Sequence, residues 1–385
     1  MKTILTKAIA GGAFLIVLGL ASAPQAEETS ARQAILVEVA TGTVLLEKQA
    51  DQPMPPASMS KLMTLYMVFE RLKDGRLKMD DTFTVSRNAW KKGGAATGSS
   101  TMFLEPDSKV TVSDLIRGII IQSGNDACIV VAEGLMGSEE AFAAAMTKRA
   151  KEIGLTQSHF ANSTGWPHPD QWMSPRDLAR LSNLLITEFP DLYPIFKETS
   201  FTHNNIKQDN RNPLLYSMEG ADGLKTGHTN EAGYGLTASA VRDGRRLVLV
   251  VNGLESRKAR AQETERLMQW GFREHGLYQL FTGGEDVGQA AVWLGQNPTV
   301  SIVVADALLL SMPKVSRNQM KAEVVYHGPL KAPIAEGETV GKLEVSAPGF
   351  ETVSVPLVAA ESVARLGLWG RLMAALEHLI FGSTG

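Results

Sequence analysis

Apolar residues in PASMSKLMTLYMVFERL, which begins at Pro56, recur three and four apart at Leu62, Leu65, Tyr66, Phe69 and Leu72. That spacing predicts an amphipathic helix entered through Pro55 and Pro56. A second helix is marked in SPRDLARLSNLL by Ser174 at the N-cap, Pro175 at the first helical position and Asp177 in the first turn. Other stretches have β character. AILVEVATGTVLLEK predicts a hairpin turning at Thr41 and Gly42, and AGYGLTASAVRDGRRLVLVVNG predicts two strands around Asp243 and Gly244.

The texture changes near Leu277. Beyond Tyr278 helical periodicity vanishes, and short runs such as VSIVVA, KAEVVYH, GKLEVSA and TVSVPLV, separated by Gly and Pro, predict a small all-β domain. The tail SVARLGLWGRLMAALEHLIF then spaces Leu366, Trp369, Met373, Leu376 and Ile380 three and four apart, an amphipathic helix. It is too polar to cross a bilayer and has no evident core to join, so it reads as an in-plane membrane anchor. At the other end Lys2 and Lys7 precede an apolar run from Ala8 to Leu20 and then small residues, the order of a secretory signal peptide cut after Ala23 or, preferably, Ala26. The expected divisions are a signal peptide over 1–26, a mixed domain over 27–276, a β domain over 277–358 and an anchoring helix over 359–385.

Composition narrows the function. With 385 residues, 44% of them apolar, the chain can bury a large core and form two domains. A net charge of −3 offers no field for a nucleic-acid backbone, and no Cys/His cluster has metal-ligand spacing, so neither nucleic acid, metal nor cofactor is expected. An exported chain with one cysteine, Cys128, has no internal disulfide. In SGNDACIVVAEGL that cysteine reads as a buried, inert thiol.

Candidate chemistry starts at Ser58 and Lys61. A serine hydroxyl needs a base within hydrogen-bond reach, and residues three apart share a helix face, so Lys61 can serve if it is held neutral by desolvation or nearby positive charge. Unpaired amides at a helix start would help stabilise an oxyanion. A chain of this length contains about two Ser-x-x-Lys matches by chance. Two further elements raise the weight: Ser123, Gly124 and Asn125 in QSGNDA, then Lys225, Thr226, Gly227 and His228 in GLKTGHT ahead of a β run. Together the three point to acyl transfer.

These motifs, with GSSTMFLEP, LIRGIIIQSGNDAC, ADGLKTGHTNEAGYGL and ETERLMQWGF, resemble the low-molecular-mass penicillin-binding proteins, serine-type D-alanyl-D-alanine carboxypeptidases, over nearly the whole mature chain. The resemblance implies an α/β (α+β) transpeptidase- and β-lactamase-like catalytic domain, with an antiparallel sheet and a helical cluster holding Ser58. It implies Ser58 as the acylated nucleophile, Lys61 as its base and Ser123 as a proton relay to the departing D-alanine. Asn125 would hold the donor backbone, Lys225 would supply positive potential and hold the Ser123 hydroxyl, and Thr226 would meet the substrate carboxylate. Backbone amides of Ser58 and His228 would form the oxyanion hole. Arg260 of SRKARAQETE, and Arg211 of NRNPLLY, are expected near the carboxylate, which a guanidinium fork matches in geometry.

Implied partners are the peptidoglycan stem pentapeptide, β-lactams as covalent inhibitors, and the outer leaflet of the inner membrane, in the periplasm of a Gram-negative bacterium. A DD-endopeptidase shares the acyl donor and stays open. A β-lactamase is disfavoured because class A enzymes use a Glu-x-x-Leu-Asn motif and no Leu-Asn pair occurs here. The Gly-rich KKGGAATGSS, Lys91 to Ser100, is expected to be a mobile loop by the active site, and Trp166 and Trp172 are possible cleft aromatics.

Overall fold

The computed structural model describes residues 27–381, with side chains described as far as Ala374. The expected signal peptide lies outside the described residues, as do the side chains of Leu376 and Ile380. One compact unit runs to Arg273 and a second begins at Glu274.

The first unit is organised by a five-stranded antiparallel sheet in the order Val44–Lys48, Gln33–Glu38, Arg245–Leu254, Gly233–Arg242, Ala221–Thr229. Successive side chains of a strand point to opposite faces, and Arg245–Leu254 feeds a core on each. Val248 and Val250 join the helical cluster on one side, while Leu247, Leu249 and Val251 pack with Leu267 and Met268 of the helix Arg257–Glu274 on the other. The turn joining Gly233–Arg242 to Arg245–Leu254 carries Asp243 at φ 51° and Gly244 at φ 75°, the left-handed pair that a tight hairpin requires.

Lys61–Lys73 forms the expected helix, but it is not amphipathic along its length: every residue from Lys61 to Phe69 is buried. A helix apolar nearly all round belongs in the middle of a core, and only Lys61 and Thr64 interrupt the run. Truncating a core residue such as Leu65 to Ala would cost about 2–5 kcal/mol. Pro175–Glu188 starts as its sequence predicts, with the Ser174 side chain accepting from the Asp177 amide.

The second unit contains a six-stranded sheet whose core includes Val300, Ile302, Val304, Leu343, Val345 and Leu357, and a two-stranded ribbon, His275–Phe281 with Leu308–Pro313. The tail helix starts at Leu368, later than the expected 359. Val363 is buried and bridges to Ile334, so this segment stays extended against the β unit. Leu368, Trp369, Leu372 and Met373 are exposed. No helix among the described residues is long and apolar enough to cross a membrane.

Candidate active site

Three separate elements bring the sequence motifs into one cleft. Ser58 lies in a 3-10 turn, Ala57–Ser60, which runs into the helix Lys61–Lys73. Ala57 holds φ 47°, a left-handed conformation costly for a residue with a Cβ and typical of functional turns. Ser123 is likewise left-handed, at φ 65°, between a π-helical turn and the helix Asn125–Met136. The third element is the edge strand Ala221–Thr229, which carries Lys225 to His228. Gly227 sits close to the serine turn there: a Cβ would lie 3.0 Å from the Pro56 carbonyl oxygen and 3.1 Å from Met59 Cγ, so a side chain would press these neighbours back by a few tenths of an ångström.

Lys61 is fully buried beneath Ser58. Its Nζ donates to Ser58 Oγ at 3.0 Å, to Asn125 Oδ1 at 2.7 Å and to the Thr164 carbonyl. Three acceptors suit an ammonium, yet burial opposes the charge. Desolvation first, with the Arg211 charge acting in the same direction, brings Lys61 down to about 8. At pH 7 roughly one molecule in ten then carries the neutral amine a base must be.

Lys225 is also buried, and desolvation, followed by the charges of Lys61 and Arg211, pushes it well below its ordinary value. The resemblance led to the expectation that Lys225 holds the Ser123 hydroxyl. Instead its Nζ donates to the Thr226 carbonyl at 3.3 Å, and the buried Ser123 Oγ has no hydrogen-bond partner among the described residues. Burial pushes the Cys128 thiol up to about 12, which keeps it protonated and inert.

A cleft of about 590 Å³ opens over these groups, lined by Ser58, Ser123, Asn125, Thr226, Gly227, His228, Arg211 and Arg260. Arg257 lines it as well, and among the described residues no carboxylate does. Arg260 is buried, its Nε has no hydrogen-bond partner among the described residues, and its guanidinium lies 5.8 Å from the Tyr234 ring centre. Desolvation, then the Arg257 charge, lowers it to about 10. Arg211 reaches the opposite wall, donating to Ser100 Oγ at 2.5 Å. His228 stacks on Tyr234 with ring centres 3.9 Å apart, and desolvation with the charges of Arg260 and Arg257 lowers its pKa, which favours the neutral ring.

Some expectations change. Lys91 to Gly93 close a short helix, Arg87–Gly93, and Ala95–Thr97 make a 3-10 turn, so only Gly98 to Ser100 form an irregular cleft wall. Gly93 is needed where this helix meets the Asn125 helix, since a Cβ would lie 2.3 Å from the Asp126 nitrogen. Trp166 lines the cleft, about half exposed. Trp172 does not line it and stacks on His159 instead.

Sequence reasoning missed the loop around Thr164. Asn162 Oδ1 accepts from the amides of Thr164, Gly165 and Trp166 and from Thr164 Oγ1, which organises the turn presenting the Thr164 carbonyl to Lys61. The Asn-Ser-Thr-Gly run carries that turn chemistry in plain view. Also missed was Asp126, buried one position beyond Asn125. It accepts from Thr101 Oγ1 and from the amides of Met102, Leu104 and Ala127, fixing the wall beside Ser123.

A serine with a buried lysine against its hydroxyl, in a cleft whose charged lining is all cationic, defines a centre equipped for acyl transfer from anionic substrates. The comparisons give the family. Residues 20–256 match the family described as D-alanyl-D-alanine carboxypeptidase, and residues 276–365 match the penicillin-binding protein 5 C-terminal domain. The chain belongs to this serine-type carboxypeptidase family. It is 38% identical over 391 aligned residues to D-alanyl-D-alanine carboxypeptidase DacC of Escherichia coli, covering 98% of each chain. Penicillin binding protein 5 from Haemophilus influenzae superposes with a TM-score of 0.77 at 34% identity, covering 88% of this chain and 99% of that one. A penicillin-binding protein of Listeria monocytogenes, solved in its ampicillin-bound form, superposes with a TM-score of 0.55 at 31% identity, covering 63% of this chain and 98% of that one.

Proposed function

We propose that this chain removes the terminal D-alanine from peptidoglycan stem pentapeptides through an acyl-enzyme on Ser58, and that β-lactams acylate the same hydroxyl. The observation that carries the reading is Lys61 Nζ at 3.0 Å from Ser58 Oγ, buried and lowered to about 8.

In this mechanism neutral Lys61 takes the Ser58 proton as Oγ attacks the carbonyl of the penultimate D-alanine. The oxyanion is received by the amides of Ser58 and His228. When the tetrahedral species collapses, the peptide C–N bond breaks and the proton passes from Lys61, through the Ser123 hydroxyl, to the leaving amine. Water then hydrolyses the ester, releasing the shortened peptide and restoring Ser58. Asn125 holds the donor backbone. Among the described residues the edge strand Ala221–Thr229 has a strand partner on one side only, and the donor extends along its open side. Thr226, Arg260 and Arg211 hold the terminal carboxylate, with Lys225 adding positive potential.

The reading includes export by the segment 1–26 and periplasmic action, with the tail helix lying on the outer leaflet of the inner membrane. Exposed Leu368, Trp369, Leu372 and Met373 supply the apolar contacts such a helix would bury. The test combines mass spectrometry of the signal-free protein with benzylpenicillin and an assay of D-alanine release from a peptide ending in D-Ala-D-Ala. A slowly hydrolysed adduct on Ser58 with D-alanine release supports the reading. Rapid penicillin turnover without D-alanine release, or no adduct, rejects it.

A further inference from the structure

The third acceptor of Lys61 is held from outside the three motifs. The Thr164 carbonyl that accepts from Lys61 Nζ belongs to a short loop pinned on either side of its preceding peptide. Thr64, one turn after Lys61 on the same helix, donates its hydroxyl to the Ser163 carbonyl at 2.7 Å. From the other direction Glu139 Oε1 accepts from the Ser163 amide at 3.1 Å and the Ser163 hydroxyl at 2.7 Å. Ser163 is fully buried, so losing that carboxylate leaves its amide and hydroxyl short of an acceptor. Glu139 opens the helix Glu139–Glu152, where a carboxylate is favourable on its own account. Its side chain nonetheless turns onto Ser163.

Resting on the carboxypeptidase reading, we infer that Glu139 is a positioning residue for the general base: through Ser163 it fixes the Thr164 carbonyl on Lys61. Alongside that geometry, its negative charge favours the protonated amine. The charged and titratable groups around Lys61 come from four elements. The helix Asn125–Met136 contributes Asp126 and Cys128, the edge strand contributes Lys225, the segment leading into that strand contributes Arg211, and the helix after Ser138 contributes Glu139. Asp126 is already bound to four donors of its own wall. Among these groups Glu139 is the carboxylate joined by hydrogen bonds to the loop that touches Nζ. The arrangement sets two demands against each other: a well-placed amine needs the Thr164 acceptor, and that acceptor makes its proton harder to lose.

The experiment measures the rate of benzylpenicillin acylation against pH for the intact signal-free protein, Glu139→Gln and Glu139→Ala, with thermal melts alongside. Glu139→Gln keeps an acceptor for Ser163 but removes the charge. Its acidic limb should move to lower pH by about half a unit, because Lys61 loses its proton more easily. Glu139→Ala also removes the anchor on the Ser163 amide and hydroxyl, so it should show that shift and a plateau rate down by about tenfold or more, which Gln largely rescues. The inference is overturned if Glu139→Ala acylates with the wild-type rate and limb, whatever its melting temperature. Should Glu139→Ala not fold, an unmoved limb in Glu139→Gln overturns it. Failure of the carboxypeptidase reading looks different, since the wild type itself would then form no adduct.

Discussion

Gly165 lies directly against Ala57: a Cβ on Gly165 would stand 1.9 Å from the Ala57 carbonyl oxygen and 2.5 Å from Ser60 Oγ. Its φ of 78° independently disfavours any side chain. Two irregular segments, distant in sequence, thus meet at a point where neither can move without displacing Ser58. Gly165→Ala should lower the acylation rate by about a hundredfold, since small misplacements of a nucleophile are costly. Stopped-flow acylation by a chromogenic β-lactam, with a melt to verify folding, measures it. A wild-type rate would mean the contact is not rigid.

Lys61 sets the pH dependence. Because its proton is lost near pH 8, the acylation rate should fall about tenfold per unit of pH below that value. Lys61→Met should abolish acylation while leaving the fold intact.

The same residue links stability to pH. The folded pKa is depressed from 10.5 to about 8, so between those values the unfolded chain binds more protons and folded stability rises with pH. Urea melts should therefore show wild type gaining on Lys61→Met by a few kcal/mol between pH 8 and pH 10.5. A constant difference would contradict the burial of a titrating amine.

Arg260 is a buried guanidinium of the cleft lining, with no partner for Nε among the described residues. Arg260→Ala should reduce kcat/KM for a D-Ala-D-Ala peptide with a free C-terminus by about 10–100-fold. A peptide ending in a carboxamide should lose far less. Equal losses on the two peptides would argue against a carboxylate contact.

Asp126 is wholly buried and accepts from four donors, so Asp126→Asn turns an amide NH2 toward N–H groups and should cost about 2–4 kcal/mol in a urea melt. Acylation should slow as well, through displacement of the adjoining Asn125.

Deleting residues 366–385 should leave D-alanine release from soluble peptide unchanged and abolish sedimentation with vesicles containing anionic lipid. Retained binding would place the membrane contact elsewhere.

What the sequence determined by itself is local or repetitive. Two β-rich runs flanking Asp243 and Gly244 marked that strand pair, because a tight turn and the runs it joins are settled by neighbours in the chain. Ser174, Pro175 and Asp177 announced a helix start because capping is settled within one turn. The motif residues Ser58, Ser123 and Lys225 were legible as types in order along the chain. Tertiary structure alone decided the rest. It buried Lys61–Phe69 on all sides, gave Lys61 a backbone acceptor on the loop at Thr164, and left the Ser123 hydroxyl without the Lys225 contact. It also added Arg257 to the cleft. Each of these depends on which distant segments pack together, and a side chain's desolvation and partners, unlike its helical or strand period, are properties of that packing and not of its neighbours in the chain.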